Sequence, residues 1–183
     1  MSILGKPYNL DVLVGRFQML HKGHEEIIEK SLELCEKTAV FIGSSQESRT
    51  EKNPFSFEER KEMLKTVFGD KIMVFPLPDI GVGNNSAWGE YVIKNVVGVL
   101  GQKPDLLVSG EEERRNTWYD GQNIKQIFIE KTVDISASKL REYIINGDSE
   151  SFKKYTNEKL WDKYPFIRNT ILSSKDNTDT KSI

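Results

Sequence analysis

The sequence predicts an α/β fold in which a doubly wound parallel sheet is followed by C-terminal helices. Short β-branched runs that end in glycine or proline alternate with segments whose apolar residues recur at helical spacing. Such alternation is typical of βαβ units. The 183 residues suit a single domain over 1–172, with its core over 10–145, C-terminal helices over 149–172 and a polar, disordered tail over 173–183.

Five runs are predicted to form the strands, because each is short, aliphatic and bounded by turn-forming residues. In chain order they are LDVLVG, AVFIGSS, KIMVFPLPDI, DLLVSG and IKQIFIE. A sheet of this kind binds its ligands beyond the carboxyl ends of the strands, where the strand order reverses. The polar and partly basic segments that follow the first four strands are therefore the candidate site.

The helices between these strands begin and end at recognisable residues. Over residues 23–37 the apolar positions recur at helical spacing and include Cys35, which is predicted to pack in the core. Ser56, followed three residues later by Glu59, resembles a capping box at the start of the next helix. Gly69 is the predicted end of that helix.

The composition excludes several classes of protein. The net charge is −2 and the pI is about 5.8, so broad binding to nucleic acid or to an anionic membrane is not expected. No apolar run reaches the roughly 18–20 residues that span a bilayer, and the N-terminus does not resemble a signal peptide. One cysteine leaves no disulfide framework and predicts a reducing, cytoplasmic location.

Both histidines lie in one predicted strand-to-helix turn, within VGRFQMLHKGHEEII. Gly23 allows a tight turn between His21 and His24, and the following helix directs its N-terminal amides at the same place. With the preceding Gly15 and Arg16, these residues predict a phosphate site. Helix capping, surface exposure and metal binding are the alternatives, although no cysteine or carboxylate cluster completes a zinc site.

A second candidate anion site is the stretch ISASKLRE. Ser136 or Ser138 would cap a short helix and Arg141 would lie near its first turn, so that hydroxyls, amides and a guanidinium converge. A plain capped helix with a solvated arginine is the alternative. The loop after the second strand contains Lys52 among other basic residues, which are either phosphate ligands or a solvated charge run.

The loop after the third strand carries a weaker signal. Its segment GVGNN has two glycines but lacks the full dinucleotide fingerprint. Trp88 follows it among small and polar neighbours, which are a poor surrounding for a core tryptophan, so it is a candidate platform for a flat ring with core packing as the alternative. Trp118 is the alternative aromatic residue for that role.

These segments together resemble the nucleotidylyltransferase superfamily. Its His-x-Gly-His turn corresponds to residues 21–24, and its Ile-Ser-Ser-Thr-x-x-Arg-like motif to ISASKLR, which departs at Ala137 and Ser138. GRFQMLHKGH is most similar to the GRFQPFHKGH of archaeal-type nicotinamide mononucleotide (NMN) adenylyltransferases, with Met19 and Leu20 in place of Pro-Phe. The second-strand loop and the pattern PDI…N…W also resemble that branch.

The resemblance implies a Rossmann-like fold and the reaction of ATP with NMN to give NAD and pyrophosphate, with Mg²⁺ carried by ATP. The implied catalytic residues are His21, His24 and Arg16. The implied ATP ligands are Gly15, Phe17, Lys22, Gly23, Lys52, Ser136, Ser138 and Arg141. The implied NMN ligands are Asp79, Asn84, Asn85 and Trp88. Lys52 stands where an arginine is expected, and archaeal relatives imply a homo-oligomer.

Two other functions stay open from the sequence. Another acceptor, such as phosphopantetheine, flavin mononucleotide or an alcohol phosphate, would define a different nucleotidylyltransferase. A non-catalytic nucleotide-sensing module could share the fold, although both histidines and Arg141 are present. The choice between NMN and its acidic counterpart is also left open.

Overall fold

A sheet of five parallel strands forms the centre of the computed structural model, which describes residues 5–82, 86–112 and 117–179. The strands are β1 (Tyr8–Gly15), β2 (Cys35–Gly43), β3 (Ile72–Leu77), β4 (Leu106–Gly110) and β5 (Lys125–Ile129). Their order is β3-β2-β1-β4-β5, so the strand order reverses between β1 and β4, which is the switch point of the sheet. The predicted α/β fold with a doubly wound parallel sheet is confirmed.

Helices cover both faces of the sheet. They are α1 (Lys22–Leu34), α2 (Phe57–Phe68), α3 (Ser86–Leu100), α4 (Ala137–Ile145), α5 (Ser149–Tyr155) and α6 (Tyr164–Asp179), with 3₁₀ turns at Gly69–Lys71 and Glu158–Lys163. Leu13 of β1 packs into an apolar cluster with α1, α2 and the C-terminal helices. Val12, the preceding residue, packs on the opposite face with α3. No helix in the described ranges is long and apolar enough to span a membrane.

Local signals predict several helix ends correctly. Ser56 and Glu59 form the expected capping box, in which each side chain accepts from the other residue's backbone N–H. Gly69 caps the C-terminus of α2 with a positive φ of 59°. Ser136 is the N-cap of α4 and accepts from the N–H of Lys139.

Two boundaries differ from those expected. Cys35 is buried as predicted, but it begins β2 instead of continuing α1, because β2 pairs with β1 from Cys35 opposite Tyr8 onward. Helix α6 runs on to Asp179, past the start of the tail for which disorder was expected. Ser173 and Ser174 donate their hydroxyls to carbonyls one turn earlier. Residues 166–179 contain no proline or glycine that would end the helix.

A buried carboxyl group joins β1 and β4, the two strands between which the strand order reverses. Asp11 of β1 is opposite Leu106 of β4 and accepts the N–H of Val108 at 2.9 Å. The side chain is fully buried, and burial raises its pKa to about 7. The sheet therefore holds an acid that is largely protonated at mildly acidic pH.

This acid gives a testable pH dependence. Its pKa is higher in the folded chain, so its contribution to stability is complete below about pH 4 and is lost as the pH rises through about 7. Asp11→Asn keeps an acceptor oxygen and cannot ionise. Relative to wild type, the variant's free energy of unfolding is expected to rise between pH 5 and pH 8 by up to about 3 kcal/mol.

Urea denaturation at the two pH values measures this difference. The two histidines titrate in both proteins, so their contributions cancel in the comparison. A difference between variant and wild type that does not change with pH would show that the carboxyl of Asp11 is not the titrating group.

Candidate active site

The His-x-Gly-His turn begins α1. His21 is the N-cap of the helix, and its Nδ1 accepts from the backbone N–H of His24 at 3.3 Å. The two imidazole rings stack with their centroids 3.7 Å apart. His21 therefore caps the helix, which was one of the predicted alternatives, and it also lines a cavity.

Both imidazoles are neutral near pH 7. Burial, followed by the nearby Lys131 ammonium, lowers the pKa of His21 to about 4. Burial, followed by His21 and Lys131, holds the pKa of His24 well below its ordinary value. Because Nδ1 of His21 accepts a hydrogen bond, the proton of the neutral ring is assigned to Nε2, which is then a donor.

A cavity of about 310 Å³ lies against this turn, between β1 and β4. Eight of the predicted residues line it: Gly15, Arg16, Phe17, His21, His24, Ser136, Ser138 and Arg141. Gly23 lies just beneath two side chains that line the cavity. A Cβ at this position would be 3.0 Å from Cδ of Lys131 and 3.2 Å from the His21 ring. Lys22 lines none of the cavities described here, so the structure does not bring it to this group.

Arg141 reaches the cavity from α4. Its guanidinium donates to the carbonyl of Gln18 and lies 3.4 Å from Oγ of Ser138. Burial, and next the charge of Arg16, lower its pKa from the ordinary value. Two guanidinium groups that face one space repel each other, and an anion bound between them would relieve that repulsion.

A second cavity of about 680 Å³ adjoins the first on the side of β2 and β3. Gly15 and Arg16 line both cavities. The other predicted residues in the second cavity are Lys52, Asp79 and Trp88, and Trp118 joins them. Asn84 and Asn85 lie outside the described residues.

Trp88 is half-buried at the start of α3 and packs at 5.4 Å against Tyr91. The backbone of Trp118 lies so close to Gly89 that no side chain fits at that position. Glycine therefore allows the loop that bears Trp118 to approach α3. As a result, both tryptophans that the sequence offered for ring stacking face the same cavity.

The basic residues of the second-strand loop and of the start of α2 have three different roles. Arg60 is fully buried and donates to the carbonyls of Arg16, Gly43, Ser44 and Ser56. Arg49 forms a two-bond ion pair with Glu59. Lys52 alone of the three lines cavities, and in the described structure it makes no hydrogen bond or ion pair.

Two glutamine amides tie the loops of the site together. Gln18 donates to the carbonyl of Phe55 and accepts its N–H, both at 2.9 Å. Gln46 makes the same two bonds to Asp79, both at 3.0 Å. The loop after β1 is therefore joined to the loop after β2, which is joined in turn to the loop after β3.

The sequence interpretation missed two charged residues of the first cavity. Glu112 follows β4 and Lys131 follows β5, and the two form an ion pair. The signal that could have found Lys131 is the position of IEKT at the carboxyl end of the fifth strand, the one strand end left out of the candidate site.

A protein-built metal centre is not part of the described structure. Within the residues it describes, no group of three or more histidine, cysteine, aspartate or glutamate side chains could hold a metal ion. The donor set at the turn is two imidazoles, arginines and serines, which suits phosphate oxygens better than a divalent cation.

Comparison with known families identifies the family of this chain. A sequence model of the family described as cytidylyltransferase-like matches residues 12–143, from β1 to α4. The chain belongs to this family. The matched part of the cytidylyltransferase-like domain contains every residue that lines the first cavity.

Archaeal sequences are similar to part of this family member. A nicotinamide-nucleotide adenylyltransferase of Saccharolobus solfataricus is 42% identical over 84 residues, which are 43% of this chain and 48% of that protein. One of Thermococcus sibiricus is 42% identical over 87 residues, 44% of this chain and 46% of that protein. The chain thus spans about half the length of the curated relatives it matches.

Solved structures share the fold. A bifunctional NMN adenylyltransferase/ADP ribose pyrophosphatase of Francisella tularensis superposes with a TM-score of 0.74 and 23% identity. The superposition covers 95% of this chain and 54% of that chain. The Rossmann-like fold expected from the resemblance is confirmed.

Proposed function

We propose that the chain is a nicotinamide-nucleotide adenylyltransferase, which transfers AMP from ATP to NMN and releases pyrophosphate. One observation carries the proposal: two cavities meet at Gly15 and Arg16, one lined by histidines and arginines and the other by aromatic side chains. ATP in the first cavity and a mononucleotide in the second would bring their phosphates together at Arg16. The names of the archaeal relatives support the same reaction.

In this reaction an oxygen of the NMN phosphate attacks the α-phosphorus of ATP. A new P–O bond forms, the bond from the α-phosphorus to the bridging oxygen breaks, and pyrophosphate leaves with that electron pair. The nucleophile is already an anion at neutral pH, so no general base is required. Catalysis then depends on positioning and on stabilising charge.

Six side chains that line the first cavity have a role in that scheme. Arg16, at the junction of the cavities, holds the two reacting phosphates. The neutral imidazole of His21 donates from Nε2 to the oxygens that gain charge in the transition state. His24 lies beside His21 and faces the same oxygens. Arg141 and the hydroxyls of Ser136 and Ser138 hold the leaving pyrophosphate. A divalent cation, which we propose to be Mg²⁺, would arrive bound to ATP as part of the substrate.

The direct test is a panel of nucleotides and acceptors. ATP and CTP would each be incubated with NMN, nicotinic acid mononucleotide, phosphopantetheine, flavin mononucleotide and glycerol phosphate, and pyrophosphate release measured. NAD formation from ATP and NMN is the expected result. Release with another acceptor would assign a different nucleotidylyltransferase, and nucleotide binding without release would favour a sensing module.

Other features of the proposal concern the whole protein. We propose that one domain over 1–172 carries the activity, in a cytoplasmic protein that associates with copies of itself and binds no nucleic acid or membrane. Light scattering after gel filtration measures the self-association. A monomeric active enzyme would contradict that part of the proposal alone.

Arg141 is expected to act mainly on ATP. Arg141→Ala should raise the KM for ATP more than the KM for NMN, because the guanidinium faces the first cavity. Arg141→Lys should restore only part of the activity, since lysine cannot grip two oxygens in one plane. Steady-state kinetics with each substrate varied in turn measures this. Equal weakening toward both substrates would count against the assignment.

Trp88 and Trp118 allow a matched test of NMN binding. Trp88→Ala should weaken NMN by roughly 0.5–1.5 kcal/mol, the range of an aromatic stack, and leave ATP affinity nearly unchanged. Because both indoles line the second cavity, NMN should quench their fluorescence, and each of Trp88→Phe and Trp118→Phe should remove part of the quench. Trp161→Phe, at an exposed site outside that cavity, is the control. A quench unchanged in both cavity variants would place NMN elsewhere.

A further inference from the structure

An ion pair lies in the lining of the first cavity and has no role in the proposed reaction. Nζ of Lys131 bonds to Oε1 of Glu112. Lys131 follows β5 and Glu112 follows β4, so the pair links the ends of two neighbouring strands. Both side chains line the cavity beside the His-x-Gly-His turn.

Both partners lie directly over glycines. The stem of Lys131 passes over Gly23, where a Cβ would come within 3.0 Å of its Cδ. The carboxylate of Glu112 folds back over Gly110, where a Cβ would lie 2.5 Å from Oε2. The ammonium is thereby held near the first turn of α1, where backbone N–H groups already favour an anion.

The charges of the cavity make this carboxylate unusual. The residues that line it include Arg16, Arg141 and Lys131, and Glu112 is the single acidic side chain among those that the structure describes. The ammonium also acts on the histidines, since its charge helps to lower the pKa of both. An anion bound here would meet three cations and one carboxylate.

The pair is also placed so that it can open. The Glu112 side chain is 48% exposed and the Lys131 side chain 24% exposed, so the carboxylate can turn to solvent while the ammonium stays at the cavity. Exposed ion pairs are weak. A phosphate of ATP carries more charge than a carboxylate and bonds strongly to an ammonium.

We propose that Glu112 is an internal competitor for the nucleotide: in the free protein it occupies Lys131, and a phosphate of ATP displaces it and takes Lys131 as a further ligand. The inference rests on the proposed function, because it requires ATP in the first cavity. Lys131 would then be a binding residue for ATP, and Glu112 would set the ATP concentration at which the site fills.

A double-mutant cycle tests the competition. Binding of α,β-methylene ATP with Mg²⁺ is measured by calorimetry in wild type, Glu112→Gln, Lys131→Met and the double variant. Glu112→Gln should tighten binding about two- to fivefold, because an exposed pair no longer has to be broken. Lys131→Met should weaken it about tenfold through the loss of a charged hydrogen bond. In the Lys131→Met background, Glu112→Gln should have no further effect.

Glu33→Gln is the matched control, because it removes the same charge from an exposed pair with Lys30 on the surface of α1. Three results would overturn the inference: weaker binding in Glu112→Gln, unchanged binding in Lys131→Met, or an equal gain from Glu112→Gln in both backgrounds. The last result would indicate a long-range effect of charge in place of competition.

Failure of the proposed function gives a different pattern. The analogue binds without reacting, so the cycle is measured independently of turnover, while NAD formation is assayed separately with ATP and NMN. Binding that follows the expected cycle without NAD formation would contradict the proposed function alone. NAD formation with a cycle that departs from expectation would contradict the inference alone, and wild type that binds no analogue would overturn both.

Discussion

Replacing His24 by alanine is expected to lower turnover about 100- to 1,000-fold while weakening ATP binding far less. The Nδ1 atom of His24 is buried and has no hydrogen-bond partner in the described structure. Burial, followed by the neighbouring His21 and Lys131, holds the pKa of His24 well below its ordinary value, so the ring is neutral near pH 7. Such a group interacts weakly in the ground state and strongly with oxygens that gain charge during the reaction, so its loss should appear in kcat.

His24 is a cleaner probe than His21. His21 caps α1, so its replacement by alanine would also destabilise the helix by about 1 kcal/mol. Single-turnover measurement of NAD formation, together with calorimetric binding of ATP, separates the chemical step from binding. Near-normal turnover in the His24→Ala protein would mean that the turn is not the catalytic centre.

Arg60→Ala is expected to destabilise the fold by about 3–5 kcal/mol, because it removes a large buried side chain together with charged hydrogen bonds. The guanidinium donates to four backbone carbonyls, among them those of Arg16 and Gly43 at the ends of β1 and β2. Arg60→Lys keeps the charge but has too few donors in the right plane, so it should recover only part of the loss.

The free energy of unfolding from urea titration measures this effect. Lys61→Ala is the control, because Lys61 is the next residue on α2 and lies partly exposed over the ring of Phe57. We expect the control to change stability by less than about 1 kcal/mol. Similar losses in the two variants would show that the carbonyl contacts of Arg60 contribute little.

Local features of the sequence predicted the fold because the residues that specify them are near neighbours. The capping box joins Ser56 and Glu59, which are three positions apart. The two histidines of the turn are also three positions apart. The start of β2 at Cys35 depends on pairing with Tyr8 of β1, 27 residues earlier, so helical spacing alone predicted the wrong element for that residue.

The parts of the site that were missed depend on distant contacts. Glu112 and Lys131 meet because β4 and β5 lie side by side, which their sequence positions do not disclose. In the sequence, Arg60 is one of several charged residues near the second-strand loop, and nothing local indicates that it is buried. It is buried because β1, β2 and α2 meet around it. The strand ends identified the region, whereas partners within it required the assembled structure.

The two glutamine bridges have a consequence for exchanging parts between relatives. Gln18 satisfies both backbone groups of Phe55, and Gln46 does the same for Asp79, so three successive loops are joined in series by side chains that imitate a strand partner. A loop transplanted alone would leave two backbone groups of its neighbour unpaired. Chimeras in which acceptor preference is to be altered should therefore inherit all three loops as one cassette.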